Sequence, residues 1–310
     1  SVTVPSSVQE IEKGAFSGCS SLKNLTLPFV GASADETDAS SSTLFGYIFG
    51  KSSYTGGVAV KQYYSSGYYD YVTYYVPANL KSVTVTGGNL LYGAFYNCSF
   101  LTEINIPDTV TSIGSYAFYN CSGITEINLS DSITTIPSYA FYGCTNLKNV
   151  ELPENLKTID SYAFYNCDGF TSVVLPNTVT SIGDSAFSDC SNLETVTFSN
   201  KLESIGDYAF SGCSKIKELN FPSSLKTIGK YAFRNLSLIT ELVVPDNVTS
   251  IDIGAFKGMN SLIEITLPFV GQGIGSVSLS GNSISSPIGV FGWIFGTSSQ
   301  TEGTTFQNHY

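Results

Sequence analysis

The chain has almost no histidine and almost no arginine. Its 310 residues include a single His, His309, and a single Arg, Arg234. One His at the end of the chain gives no basis for a Ser/His/Asp or Cys/His catalytic arrangement. The sequence also lacks a nucleotide-binding glycine string and an HExxH zinc motif. We therefore predict that the chain is not an enzyme and uses no cofactor or metal.

Long hydrophobic runs and positive charge are also scarce. No apolar stretch reaches the roughly 18 residues that a membrane-spanning helix needs, so we expect no membrane insertion within this chain. The sequence has 25 Asp plus Glu against 14 Lys plus Arg, and the formal net charge of −11 would repel nucleic acid. Residues 1–5 do not resemble a signal peptide, and the start at Ser1 without Met indicates a piece of a longer or processed polypeptide.

The chain is instead built from an internal repeat. The dipeptide Ala-Phe recurs at 23-residue intervals, and a further copy at Phe16 is set apart by an insertion. The regularly spaced copies end at Phe95, Phe118, Phe141, Phe164, Phe187, Phe210, Phe233 and Phe256. Around this marker the unit reads approximately LxxIxLPxxVxxIGxYAFxNC. A fixed period of about 20 to 50 residues is typical of solenoids.

The repeat pattern predicts one short parallel strand in each 23-residue turn. The step from Ile104 to Ile106 alternates as a strand does, and Pro107 then ends the strand because it cannot donate to a ladder. The GSYAF segment is too short for a stable helix but fits one helical or 3-10 turn on the convex side. We predict a right-handed, mainly β solenoid over residues 1–310, with about eleven layers, about 50 Å long. Its Phe side chains should stack in one internal column.

The seven cysteines occupy one repeat position, three residues after the Ala-Phe marker. The next two repeats carry Leu236 and Met259 there, which indicates a buried packing position. Stacked layers would bring equivalent cysteines near disulfide separation, but the odd count disfavours pairing. Single thiols without CxxC pairs also disfavour a metal site. We predict reduced, buried thiols.

Two related insertions interrupt the 23-residue repeat spacing. Residues 28–79 and residues 268–310 share PFVG near their start and GYIFG or GWIFG further on. We interpret 28–79 as a Tyr-rich insertion and 268–310 as a second, truncated copy that frays or caps the stack.

The repeat units resemble a known family. The segments IPDTVTSIGSYAFYNC (106–121) and LPNTVTSIGDSAFSDC (175–190) are similar to the BspA-like, or Treponema-type, leucine-rich repeat family of bacterial surface proteins. The resemblance covers nearly the whole chain outside the insertions. It implies a leucine-rich-repeat fold, a secreted or cell-surface location in bacteria and an adhesin-like role, and it carries over no catalytic residue.

Tyrosines form two of the candidate binding surfaces. In the insertion, Ser65-Ser66-Gly67 resembles the turn of a projecting hairpin, and tyrosine offers rigid contact area at low entropic cost. The candidate residues there are Tyr63, Tyr64, Tyr68, Tyr69 and Tyr71. The alternative is that half of the insertion tyrosines pack it onto the solenoid. In the repeats, a second row either closes the outer packing layer or binds sugar; it comprises Tyr116, Tyr139, Tyr162, Tyr208 and Tyr231, beside Tyr119, Tyr142 and Tyr165.

An acidic row on the strands is the other candidate surface. Strand alternation points one set of carboxylates outward: Glu103, Glu126, Glu218, Glu241 and Glu264. Like charges on adjacent strands are unfavourable by about 0.2 to 1 kcal/mol per pair, so the row is not there for stability. It either binds a basic partner or a weak cation, or forms a solvated face that aids solubility.

These features together predict a binding module. We expect a monomer at the cell surface that recognises a host or bacterial surface or extracellular-matrix protein through the concave strand face and the Tyr-rich insertion. A structural spacer within a larger surface protein is one alternative. A carbohydrate-binding module that uses Trp293 and exposed tyrosines is the other.

Overall fold

The chain coils into a solenoid of about eleven turns. A computed structural model describes residues 1–67, 69–268 and 294–296. Two of the candidate residues, Tyr68 and Trp293, lie outside the described residues, as does most of the second insertion, 268–310. Among the residues that the structure describes, no helix has the length and apolar content of a membrane span.

Most turns contribute a short strand to one side, which we call the strand face. Its strands are β1 Val2–Thr3, β2 Asn24–Leu27, β5 Ser82–Val85, β6 Glu103–Asn105, β7 Glu126–Asn128, β9 Asn149–Glu151, β11 Ser172–Val174, β13 Thr195–Thr197, β16 Glu241–Val243 and β18 Glu264–Thr266. Pairing is parallel with partners one repeat apart, as between Glu126 and Asn149, so the prediction of a parallel strand per 23-residue turn is confirmed. The ladder is interrupted, because the hydrogen-bonded groups are β1-β2-β5-β6, β7-β9, β11-β13 and β16-β18.

A second parallel ladder, which the sequence analysis did not predict, runs along another side. It is one six-stranded sheet made of β8 Thr135–Ile136, β10 Thr158–Ile159, β12 Ser181–Ile182, β14 Ser204–Ile205, β15 Thr227–Ile228 and β17 Ser250–Ile251. The turns pack closely after these strands, since a Cβ at Gly183 would lie 2.6 Å from the Ser161 nitrogen. Glycine at this position therefore permits the close stacking.

Each Ala-Phe dipeptide lies in a series of tight turns. The Cys121 N–H donates to the Phe118 carbonyl at 3.1 Å, an i to i+3 bond of the 3-10 type. The 3-10 helices assigned within the described ranges are η1 Ser41–Thr43 and η2 Phe45–Phe49, and both lie in the first insertion.

The repeated phenylalanines stack in one internal column, as predicted. From Phe95 to Phe256, successive ring centroids are 5.0 to 6.1 Å apart and successive planes lie within 18°. Each of these rings is at most 1% exposed, so each stabilises the fold by about 1.5 to 3 kcal/mol of apolar burial. Backbone bonds reinforce the register, because the Phe118 N–H donates to the Ala140 carbonyl of the next turn at 2.8 Å.

The first insertion fills a layer of this column. Helix η2 places Phe49 against Phe16 at 6.2 Å and Phe45 against Phe95 at 5.1 Å, and the two η2 rings are 5.4 Å apart. In a regular turn the Phe N–H donates to the Ala carbonyl of the following turn. The Phe16 N–H instead donates to the Ile48 carbonyl of η2 at 2.8 Å. Helix η2 therefore substitutes for a repeat turn.

The rest of the insertion is a hairpin fixed to the solenoid. Strands β3 Gly57–Tyr63 and β4 Tyr71–Pro77 pair antiparallel. The buried Gln62 accepts a hydrogen bond from the Gly46 N–H at 2.7 Å and donates to the Tyr96 carbonyl at 3.0 Å. The hydroxyl of the buried Tyr74 donates to the Ser41 carbonyl at 2.7 Å. The predicted hairpin is confirmed, and its base is packed on the core.

The cysteines are free thiols, and six of the seven are buried. Five of the buried thiols donate a hydrogen bond to the carbonyl of the Phe residue 26 positions earlier in the chain. Cys144, for example, donates to the Phe118 carbonyl at 3.2 Å. Burial raises the pKa of Cys121 and of Cys190 to about 12. The prediction of reduced, buried thiols is confirmed for all but the half-buried Cys19.

Candidate binding surfaces

Tyrosines of the hairpin and of the repeats form one continuous surface, which we call the tyrosine stripe. It consists of Tyr63, Tyr71, Tyr92, Tyr96, Tyr116, Tyr119, Tyr139, Tyr142, Tyr162 and Tyr165. In one row, Tyr96, Tyr119, Tyr142 and Tyr165 stack at 4.6 to 4.7 Å. In the other, Tyr92, Tyr116, Tyr139 and Tyr162 stack at 4.5 to 5.0 Å.

The hairpin extends the stripe. The Tyr63 ring lies 5.2 Å from Tyr96 and 5.3 Å from Tyr71. The Lys61 ammonium sits 3.7 Å from the centre of the Tyr71 ring, in cation–π geometry. Near the tip, Tyr69 is 79% exposed. The two tyrosine surfaces that the sequence suggested separately therefore meet in one.

Several tyrosines of the stripe have a left-handed backbone. Tyr116, Tyr139 and Tyr162 each have φ of 60°, whereas Gly93 and Gly254 occupy the same repeat position with φ of 65°. The left-handed region is unfavourable for an L side chain by about 1 kcal/mol. Since glycine meets the backbone requirement without this strain, side-chain contacts must offset the strain wherever tyrosine stands at this position, including Tyr208 and Tyr231 with φ of 56° and 53°.

The rings of the stripe are half-buried, apart from Tyr71, which is 39% exposed. Burial, followed by the charges of neighbouring tyrosines, raises the pKa of Tyr116 to about 12 and raises the pKa of Tyr96 further. At neutral pH the Tyr96 and Tyr116 hydroxyls can therefore both donate and accept a hydrogen bond.

The stripe ends where serine replaces tyrosine. Ser185 and Ser188 stand at the two tyrosine positions of the next repeat, and both are buried. Beyond them, Tyr208 and Tyr231 form a separate pair at 5.1 Å. Lys230, Arg234 and Lys257 approach the Tyr231 ring at 5.5 to 5.8 Å.

The predicted glutamates lie on the strand face. Glu103, Glu126, Glu241 and Glu264 each begin a strand and are exposed, while Glu218 is exposed outside an assigned strand. Glu241 and Glu264 are direct register partners, so part of the predicted acidic row is present. The Asn105 amide donates to Glu103 at 2.9 Å and lowers the pKa of that carboxyl. The glutamates thus belong to the strand face, whereas the hairpin tyrosine Tyr63 contacts Tyr96, which follows an Ala-Phe dipeptide.

A pocket of about 510 Å³ opens on the strand face between β9 and β11. Sequence reasoning missed it because it depends on the broken strand pairing. Its lining is Glu126, Asn128, Val150, Glu151, Leu152, Phe164, Phe170, Ser172, Val173, Val174 and Phe187. We call it the strand-break pocket.

An open groove of about 510 Å³ follows the second sheet and contains a row of aspartates that was also missed. The sequence signal is the recurring Ser-Ile-Gly-Asp. These carboxylates link successive turns, because Asp184 accepts the Asp207 N–H at 2.8 Å and Asp207 accepts the Lys230 N–H at 2.7 Å. Within the described residues, no group of three or more His, Cys, Asp or Glu could hold a metal ion. We assign these aspartates a structural role.

Stacked 23-residue turns, a parallel strand ladder and an aromatic core together define a leucine-rich-repeat solenoid. Proteins of this class are generally binding or structural modules. The chain belongs to the BspA type leucine-rich repeat family, which matches residues 1–36, 72–192 and 157–285 in six copies. The family resemblance predicted from the repeat motifs is thus confirmed.

Several solved structures are similar to the chain. A leucine-rich repeat protein from Bacteroides ovatus is 33% identical over 67% of this chain and 55% of its own, with a TM-score of 0.48. The leucine-rich repeat protein of T. pallidum is 23% identical over 68% of this chain and 90% of its own, with a TM-score of 0.44. A leucine-rich cell surface protein from Faecalibacterium prausnitzii is 20% identical over 68% and 85%, with a TM-score of 0.31. This chain thus spans 55% of the B. ovatus protein. No curated protein matches it.

Proposed function

We propose that the chain is an adhesin-like extracellular module that captures a protein ligand on the tyrosine stripe. The observation that carries this proposal is the unbroken stack of tyrosine rings that contains Tyr116, Tyr139 and Tyr162, three residues with a left-handed backbone. A solenoid that needs only the turn can use glycine at this position, as it does at Gly93. Membership of a family of surface repeat proteins supports the broader statement, that the chain interacts with other proteins.

The rigidity of the stripe favours tight binding. The tyrosine rings stack on one another at 4.5 to 5.0 Å within the repeats, so little side-chain freedom remains to be lost when a ligand binds. Tyrosine is also among the residues that contribute most to protein interfaces. Gln62 fixes the hairpin to the turn of Tyr96, so Tyr63 and Tyr71 form part of the same rigid surface.

The stacking favours a protein ligand over a glycan. Sugars usually pack on the open face of an aromatic ring, whereas the faces of Tyr119 and Tyr142 are covered by neighbouring rings at 4.6 to 4.7 Å. A row of stacked rings exposes ring edges and hydroxyl groups to a partner. These groups can contact both the apolar and the polar groups of a protein surface. We propose a host or bacterial surface or extracellular-matrix protein as the ligand, bound by a secreted or surface-attached monomer.

The proposal is tested with a triple variant, Tyr116→Gly, Tyr139→Gly and Tyr162→Gly. Glycine suits the left-handed backbone, so the fold should persist while three rings are removed. Binding of the chain to immobilised laminin, type I collagen and mucin is measured by biolayer interferometry. We expect the affinity for the bound partner to fall by about tenfold or more.

A matched control comes from the separate pair beyond the stripe. Tyr208→Gly with Tyr231→Gly changes the same repeat position at the same backbone conformation, with φ of 56° and 53°. This control should bind as the unaltered chain does. Equal binding by the triple variant, or no binding by the unaltered chain across the panel, would contradict the proposal.

A further inference from the structure

The strand-break pocket lies where two neighbouring strands of the strand face fail to pair. Strand β9 pairs back to β7 and β11 pairs forward to β13, but no ladder joins β9 to β11. The pocket volume of about 510 Å³ falls in the range of about 300 to 1,000 Å³ that is typical of ligand sites. The break between β6 and β7 encloses only about 90 Å³. The wide opening is therefore a local feature and not a property of every break.

We attribute the width of this break to Phe170. The residue that precedes each strand at this repeat position is Leu147 in the turn before and Leu193 in the turn after. Phe170 is larger, is 2% exposed and meets the Phe164 ring edge-on at 5.6 Å. We infer that this larger ring keeps the two strands from pairing, because a close-packed interior cannot absorb the extra volume without moving its neighbours.

The pocket combines apolar walls with an acidic rim. Val150 and Leu152 line one side, and Val174, which is 67% exposed, lines the other. Glu126 and Glu151 are exposed at the rim, on the paired strands β7 and β9. Among the residues that the structure describes, no Lys or Arg lines the pocket. The ion pairs within the described part of the chain, Lys217 with Glu194 and Lys226 with Glu203, lie elsewhere.

We infer that the strand-break pocket binds a basic side chain, Lys or Arg, presented by an extended peptide segment of a partner protein. The apolar stem of such a side chain packs against Val150, Leu152 and Val174, while its cationic head reaches the carboxylates of Glu126 and Glu151. An uncharged apolar side chain would leave the acidic rim without a partner, and an acidic side chain would be repelled by it. The site is distinct from the tyrosine stripe, so the inference goes beyond the proposed function.

Binding is measured by methyl NMR of the full chain titrated with defined pentapeptides. The probes are acetyl-Gly-Gly-Lys-Gly-Gly-amide and its Arg, norleucine and Glu analogues. We expect saturable shifts of the Val150, Leu152 and Val174 methyls with the Lys and Arg peptides, binding that weakens at higher salt, and about tenfold weaker binding of the norleucine peptide. Equal affinity for norleucine, or no saturable shift with either basic peptide, would overturn the inference.

Variants separate the two parts of the site. Glu126→Gln with Glu151→Gln should weaken the Lys peptide about tenfold, whereas the matched pair Glu241→Gln with Glu264→Gln, on the same face outside the pocket, should leave binding unchanged. If both pairs weaken binding equally, the effect is the general acidity of the face and the inference fails.

Phe170→Leu installs the residue of the adjacent repeats. It should allow β9 and β11 to approach, keep the fold and abolish peptide binding. Val174→Asn, which places at an exposed position the residue found at Asn105 and Asn128, should weaken binding while leaving the core untouched. Peptide binding that survives both changes would also overturn the inference. The triple Tyr→Gly variant should still bind the Lys peptide, so failure of one site is distinguishable from failure of the other.

Discussion

Removal of one ring from the middle of the phenylalanine column should be far more destabilising than removal of a ring at its end. Phe141 is fully buried and stacks on Phe118 at 5.0 Å and on Phe164 at 5.2 Å. Phe141→Ala forfeits the burial of the ring, both stacking contacts and the packing of the cavity lining, a loss of about 3 to 5 kcal/mol in the free energy of unfolding. Phe16 is half-buried with one ring neighbour, Phe49, at 6.2 Å, so Phe16→Ala should lose only about 1 to 2 kcal/mol.

Urea unfolding monitored by circular dichroism gives the two free energies, and hydrogen exchange with mass spectrometry locates the damage. Because each turn of a solenoid contacts only its neighbours, protection should be lost first in residues 116–121, 139–144 and 162–167 for Phe141→Ala. Phe141→Leu, which refills most of the cavity, is the control and should recover more than half of the loss. Equal losses for Phe16→Ala and Phe141→Ala would refute the idea that the column is a cooperative core.

Three further predictions concern thiols, the hairpin and alkaline pH. Ellman's reagent at pH 8 should modify only Cys19 in the folded chain and all seven cysteines in guanidinium, since the other six are buried; counts from absorbance at 412 nm decide this. Gln62→Leu should leave the Gly46 N–H and the Tyr96 carbonyl without their partner, destabilising the insertion by about 2 to 3 kcal/mol, with faster hydrogen exchange confined to residues 57–77. Burial raises the pKa of Tyr116 from 10.0 to about 12, so the stability from its neutral phenol is fully present below pH 10 and is lost between pH 10 and 12; thermal melts across this range should show the decline.

The periodic features of the fold could be predicted from the sequence because each repeat supplies independent evidence of the same role. Eight Phe residues at one position predict one column, and the Leu236 and Met259 replacements predict that the cysteine position is buried. The second ladder could not be predicted in this way. Its strands are two residues long, Thr-Ile or Ser-Ile, and are too short to show an alternation of apolar and polar residues.

Features that depend on one residue or one segment outside the repeat pattern could not be predicted from the sequence. Helix η2 fills a layer with Phe45 and Phe49 in a segment that does not match the repeat, and only its contacts with Phe16 and Phe95 reveal the substitution. The hairpin tyrosines join those of the repeats because Gln62, a polar residue, is buried against Tyr96. The strand-break pocket depends on how the core responds to Phe170, which reads in the sequence as one more apolar residue.

The bridging of Phe16 and Phe95 by η2 has a mechanical consequence. A 52-residue excursion between two turns would ordinarily act as a joint about which the two halves could swing, but here ring contacts and backbone hydrogen bonds pass through it without a gap. The Phe256 N–H donates to the Ile294 carbonyl at 2.9 Å, just as the Phe16 N–H donates to the Ile48 carbonyl, so Ile294 contacts a preceding turn in the same way. Tension applied along the long axis would thus be carried through this segment by the ring contacts and backbone hydrogen bonds of the core.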